Sequence, residues 1–186
     1  MGYLTRNFLP CSFGGEVLPA TILSDETQYK QLDLGAFLGR NSKAVREPEI
    51  VRFAESLRPS YSRIGAIGYC YGGGWAVFQL GARGRNLVDC ISTAHPSMIT
   101  KQEIASVNVP TQILAPEFDH MFSEELKAYS QEALPKAGVP FDYQYFPGLH
   151  HGFAIRGDPQ RDGERKGMER AKNAASLWFR HWLRQG

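Results

Sequence analysis

Between residues 64 and 146, four short apolar runs (64–69, 87–93, 109–115 and 141–146) alternate with segments of helical spacing. Strands that alternate with helices cannot pair as hairpins, so they imply a parallel sheet covered on both faces. The helical signals are specific. Pro48 suits a first helical turn, and Ile50, Phe53, Ala54 and Leu57 follow at helical spacing up to Pro59. Thr100 and Glu103 have capping-box spacing for a short helix through about Val107. Ser123 precedes Glu124 and Glu125, acidic residues that suit the positive end of a helix dipole, and that helix is expected to stop before Pro135. Over 163–183, Met168, Ala171, Ala175, Trp178 and Trp182 recur at intervals of three and four, the stripe of a helix packed on a core. The expected fold class is α/β in a single domain spanning 1–186. Residues 1–46 read as an irregular segment because Pro10, Gly14, Gly15 and Pro19 interrupt its apolar stretches at 20–23 and 34–38.

Composition narrows the function classes. In 186 residues, 42% are hydrophobic and 12% aromatic, enough for one sizeable core and too apolar for disorder. A net charge of +2 gives no reason to expect nucleic acid or an anionic membrane as partner. No run of apolar residues is long enough to span a bilayer. The amino terminus has neither the basic nor the apolar region of a secretory signal, so a cytoplasmic location is expected. The three cysteines, Cys11, Cys70 and Cys90, form no disulfide framework and no zinc-type pair, which fits a reduced compartment.

Chemistry concentrates at Gly68-Tyr69-Cys70-Tyr71-Gly72, where the first apolar run meets a helix. A nucleophile on such a corner holds strained dihedrals, and its neighbours two residues away on either side must be very small. Gly68 and Gly72 fill those positions. The helix start favours thiolate over thiol, and the Tyr71 amide would face an oxyanion. The glycines fit no G-x-G-x-x-G register, so a dinucleotide loop is not expected. Cys90, inside a strand, reads as core; Cys11 has no role to suggest. A thiol needs a base and the base an orienter. Asp119 follows the third run and His150-His151 the fourth, beyond the carboxyl ends of strands where α/β sheets carry functional loops. The order Cys70, Asp119, His151 matches nucleophile, acid and histidine in α/β-hydrolases. A metal site from Asp119, His120, His150 and His151 is the weaker alternative, because adjacent histidines on an extended chain point apart.

The motifs IGYCYGGG (67–74), AHPS (94–97), PEFDH (116–120) and YFPGLHHGFAIRGD (145–158) resemble the dienelactone hydrolases, cysteine-dependent members of the α/β-hydrolase superfamily, and in particular the fungal branch. The likeness runs over roughly 62–183. It implies a three-layer α/β-hydrolase-like sandwich with a mostly parallel central sheet flanked by helices. It also implies Cys70 as nucleophile, Asp119 as triad acid and His151 as base, since Gly152-Phe153 follow His151 as the family's histidine requires. Arg156 would receive a substrate carboxylate; its offset from the histidine is one residue longer than in bacterial members, and a plain surface arginine is the alternative reading. The implied reaction is hydrolysis of a small-molecule enol-lactone or activated ester with no cofactor and no metal; oligomeric state is left open. Such hydrolases usually carry several strands ahead of the elbow, one followed by a loop with a second oxyanion donor. Only about 60 residues precede Ile64 here, so those strands are expected to be reduced or missing. A catalytically weak or inactive paralogue that binds a small molecule or a protein is the alternative function.

Overall fold

The computed structural model describes Arg6, Phe8, residues 14–16 and residues 31–184. Cys11 and the 20–23 stretch lie outside the described residues. The chain divides into two compact units, 1–53 and 54–186.

In the first unit, α1 (Leu34–Arg40) is capped by Asp33, whose carboxylate accepts the Ala36 amide at 2.8 Å. Buried Asn41 then ends that helix. Its Nδ2 donates to the Phe37 carbonyl and to Glu16, and its Oδ1 accepts from Arg46 Nε. The segment read as irregular is therefore helical over 34–40, and α2 (Lys43–Leu57) starts five residues before Pro48. Proline near a helix start forfeits one backbone hydrogen bond, and here it occupies the second turn rather than the first.

The second unit holds four strands in the order β1 (Gly65–Tyr69), β2 (Cys90–Ala94), β3 (Thr111–Phe118) and β4 (Phe141–His150), all parallel. Between them run α3 (Cys70–Leu80), α4 (Lys101–Ser106) and α5 (Glu124–Lys136). Right-handed crossovers that always advance in one direction put these three helices on one face. After β4 come the single turn α6 (Phe153–Arg156) and the long α7 (Asp162–Leu183), which packs on all four strands. The arrangement is the expected three-layer α/β fold.

Every residue of β2 is buried, as a central parallel strand requires. Trp75 and Phe78 of α3 are fully buried. Ala94, Leu114, Phe146, Leu149, Phe153 and Ala171 form a second core cluster in which α6 and α7 meet β2, β3 and β4. The predicted caps form: Thr100 and Glu103 make the reciprocal capping box of α4, and the Ser123 hydroxyl accepts the Leu126 amide of α5. Several boundaries differ from expectation, among them the start of β2, at Cys90 rather than 87. Pro135 lies inside the last turn of α5. β4 runs past Pro147 and Gly148 to His150, because Gly148 takes a positive φ of 72° and its amide finds the Glu117 carboxylate at 2.6 Å where the ladder is irregular.

Candidate active site

β1 ends at Tyr69 with extended dihedrals, Cys70 turns to φ 48°, and α3 begins at once. A non-glycine residue in the left-handed region is strained, and that strain is what aims its side chain off the sheet edge. The turn closes so tightly that a Cβ on Gly68 would overlap the backbone of Gly73, and one on Gly73 would overlap Gly68. The crowded partner of Gly68 is thus Gly73 and not Gly72. A helix completes its first turn after 3.6 residues, which brings residue 73, rather than 72, back over the strand. Gly74 has a parallel role: a Cβ there would strike Ser97, whose amide donates to the Cys70 carbonyl at 3.1 Å. The loop leaving β2 therefore lies directly on the elbow.

Strand register explains which residues meet. Tyr69 pairs with Ala94, so the next residues on the two parallel strands, Cys70 and His95, emerge side by side. Phe118 pairs with His150, so Asp119 and His151 do the same. His151 donates its backbone amide to Phe118, and its Nδ1 lies 2.9 Å from Asp119 Oδ1. That same carboxylate oxygen accepts the amides of Met121 and Phe122, which lock it in place. Burial pulls the Asp119 carboxyl upward, but the hydrogen bonds from His151 and these amides hold it below its ordinary value. Burial likewise pulls His151 down; its bonds to Asp119 and Cys70 outweigh this and push it up to about 9. The ligand atoms of Cys70, His95 and His151 all lie within 4.8 Å of one another. The three sequence-predicted residues Cys70, Asp119 and His151 are thus brought together.

His95 and Ser97 received no role from the sequence, although AHPS stood out as a motif beyond the second strand. His95 is fully buried at φ 41°, with Nδ1 3.3 Å from the Cys70 sulfur. Burial, reinforced by the charge on His151, pushes it down to about 3, so its ring is neutral. Ser97, also buried, places its hydroxyl 3.3 Å from His151 Nε2. The remaining predicted residues sit around this centre. Tyr71 is the second residue of α3, directly after Cys70. Exposed Arg156 folds its guanidinium back against Gly152, beside His151. His120 is exposed, its ring 6.0 Å from that of His151, while His150 stacks on Phe118.

Among the described residues, the metal-ligand spacing belongs to Cys70, His95 and His151. The set Asp119, His120, His150 and His151 is not gathered in this way. A cation at the observed cluster would take His95 through Nδ1. The ring proton would then sit on Nε2, a buried atom with no hydrogen-bond partner among the described residues. Such a cation would also occupy the Cys70 sulfur. Proton handling around a thiol suits this geometry better.

Comparison with known proteins gives a consistent picture. The family model described as the dienelactone hydrolase family matches residues 13–183. The chain is 33% identical over 141 residues to hydrolase tropI of Talaromyces stipitatus, covering 75% of this chain and 54% of that protein. It is 32% identical over 123 residues to hydrolase pyvD of Aspergillus violaceofuscus, covering 66% of this chain and 49% of that protein. The chain therefore spans about half the length of these relatives. A crystal structure of a putative dienelactone hydrolase from Klebsiella pneumoniae shares the fold with a TM-score of 0.62 at 13% identity, over 86% of this chain and 70% of that one.

Proposed function

Because the chain belongs to the dienelactone hydrolase family, we propose that it is a hydrolase that opens an activated ester or enol-lactone through Cys70. The observation that carries this reading is one cluster of groups at the carboxyl ends of the strands. The Cys70 sulfur projects from a left-handed strand–helix corner, within 4.8 Å of a His151 whose other ring nitrogen meets Asp119 at 2.9 Å.

In the resting state His151 carries a proton, since its value of about 9 lies above neutral pH. Asp119 balances that positive charge, and the attacking form of Cys70 is the thiolate. The thiolate attacks the substrate carbonyl carbon, and the carbonyl electron pair moves to oxygen in front of the Tyr71 amide. As the tetrahedral species collapses, the carbon–oxygen bond to the leaving group breaks and His151 Nε2 protonates the departing enolate or alkoxide. A thioester on Cys70 remains. Neutral His151 then takes a proton from water, hydroxide adds to the thioester carbon, and the sulfur leaves again as thiolate. Asp119 keeps the proton-carrying face of the imidazole oriented throughout, and Ser97 fixes the Nε2 edge. Enolate leaving groups suit this machinery because they depart more easily than alkoxides. Arg156 would meet a carboxylate on the substrate, so a small carboxylated lactone is the preferred class.

Turnover of an aryl ester and an enol-lactone by the wild type and by Cys70→Ala tests the reading. Hydrolysis that disappears with the thiol is expected. A Cys70→Ala protein of unchanged activity would remove Cys70 from the mechanism. No turnover by the wild type, together with sluggish iodoacetamide labelling of Cys70, would favour the binding-module alternative.

A further inference from the structure

His95 faces the elbow sulfur with one ring nitrogen, and its other nitrogen has no hydrogen-bond partner among the described residues. Its ring is enclosed by aromatic neighbours, with centroids at 6.0 Å for Tyr69, 5.1 Å for His151 and 5.6 Å for Phe153. Nδ1 lies 3.3 Å from Cys70 Sγ, whereas Nε2 is buried with no hydrogen-bond partner among the described residues. The charged groups that act on it are His151, Asp119 and Arg156, and with burial their sum leaves the ring neutral.

A neutral imidazole carries one proton and must place it on one of these two nitrogens. A proton on Nε2 would bury an N–H with no acceptor, which folded proteins rarely tolerate. A proton on Nδ1 is received by the sulfur and leaves only a lone pair inside the aromatic cage, the cheaper of the two defects. From this geometry we infer that His95 is a positioning residue: an Nδ1–H donor that holds the Cys70 sulfur as a thiolate on the elbow. The assignment rests on Cys70 as the proposed nucleophile and adds a second donor to it, distinct from the triad histidine.

The donor transfers no proton at any step. It supports the thiolate before attack, and it receives the same sulfur when the thioester is cleaved and the sulfur leaves. Its contribution therefore spans both half-reactions, while His151 remains free to cycle its own proton. The register that pairs Tyr69 with Ala94 places the donor, and φ 41° at His95 turns the ring inward. Left-handed dihedrals are most readily adopted by Asn, Asp and His among non-glycine residues.

That preference supplies the test. Asn at position 95 fits the same backbone, and its side-chain amide nitrogen occupies roughly the place of Nδ1. Gln reaches instead to the position of Nε2. Iodoacetamide alkylation of the Cys70 peptide would be followed by mass spectrometry against pH for the wild type, His95→Asn and His95→Gln, with thermal melts to confirm folding. Cys90 does not interfere, because it is fully buried and burial pushes its thiol up to about 12. We expect His95→Asn to alkylate within a few-fold of the wild type. His95→Gln should shift the curve to higher pH and slow the neutral-pH rate roughly 10- to 100-fold, the loss typical of one hydrogen bond to a charged group. If Gln is not accommodated, His95→Gly takes a positive φ without strain and serves as the donor-free variant. A folded donor-free variant that alkylates like the wild type, or an Asn variant slowed as much as it, would overturn the assignment. Ester turnover measured in parallel separates the two proposals. Alkylation that depends on residue 95 in a protein without turnover leaves the donor standing and removes only the hydrolase reading. Turnover that requires Cys70 but alkylation indifferent to residue 95 removes only the donor.

Discussion

Replacing Asp119 by Asn removes a negative charge without removing the fold around it. Oδ1 accepts two backbone amides, from Met121 and Phe122, besides meeting His151. An Asn oxygen in the same place keeps both amide bonds, so the turn after β3 persists. What changes is His151. Burial alone would hold that ring below its ordinary 6.5, and the bond to Asp119 is the first of the contributions that raise it to about 9. That net rise corresponds to about 3 kcal/mol, so the interactions with Asp119 and Cys70 together exceed this by the amount that burial opposes. Without the carboxylate we expect the titration midpoint of His151, followed through its imidazole resonances by NMR, to fall by one unit or more. The charged fraction of the ring at and above neutral pH would then fall, and kcat should drop roughly 10³–10⁴-fold, as in triads whose acid becomes an amide.

The stability consequence has a definite sign and is best read in a Cys70→Ala background, where the ring lacks its sulfur neighbour. A histidine whose folded value exceeds its unfolded value adds stability that is fully present below about pH 6.5. That stability is lost as the pH rises through the folded value. The stability of Cys70→Ala against denaturant should therefore weaken as the pH rises above about 6.5, and the added Asp119→Asn change should flatten the dependence. A His151 midpoint that stays near 9 in the Asn variant, or unfolding curves with the same pH dependence in both backgrounds, would refute the account of Asp119 as the group that keeps this histidine charged.

Two further outcomes test the frame around the site. Gly73→Ala should cost about 3 kcal/mol or more, because the new Cβ would overlap the Gly68 backbone rather than a movable side chain; thermal denaturation measures it, and an unchanged melting temperature would contradict the close approach. Ser97→Ala removes the hydroxyl 3.3 Å from His151 Nε2. It should lower kcat about 3- to 10-fold with little change in KM, the loss of one ordinary hydrogen bond, and steady-state kinetics would show it.

The parallel sheet, the helices between strands, the caps at Thr100 and Ser123, and the elbow at Cys70 were all legible in the linear chain. Each is written in local signals: apolar runs, turn residues, and a cysteine set among glycines. The grouping of Cys70, Asp119 and His151 could be anticipated because parallel strands send their carboxyl ends to one edge. Three features could not be read this way. Gly73 rather than Gly72 faces Gly68 because the helix turn, not the symmetry of the motif, decides which backbone returns to the strand. His95 reaches the thiol only because Tyr69 pairs with Ala94; one step of slippage between β1 and β2 would put another residue there. Its neutrality follows from a cage assembled from β1, the loop after β4 and α6, none of them adjacent to it in sequence. Local chemistry names the groups that can react, but proton position and charge depend on what surrounds them, and only packing supplies those surroundings.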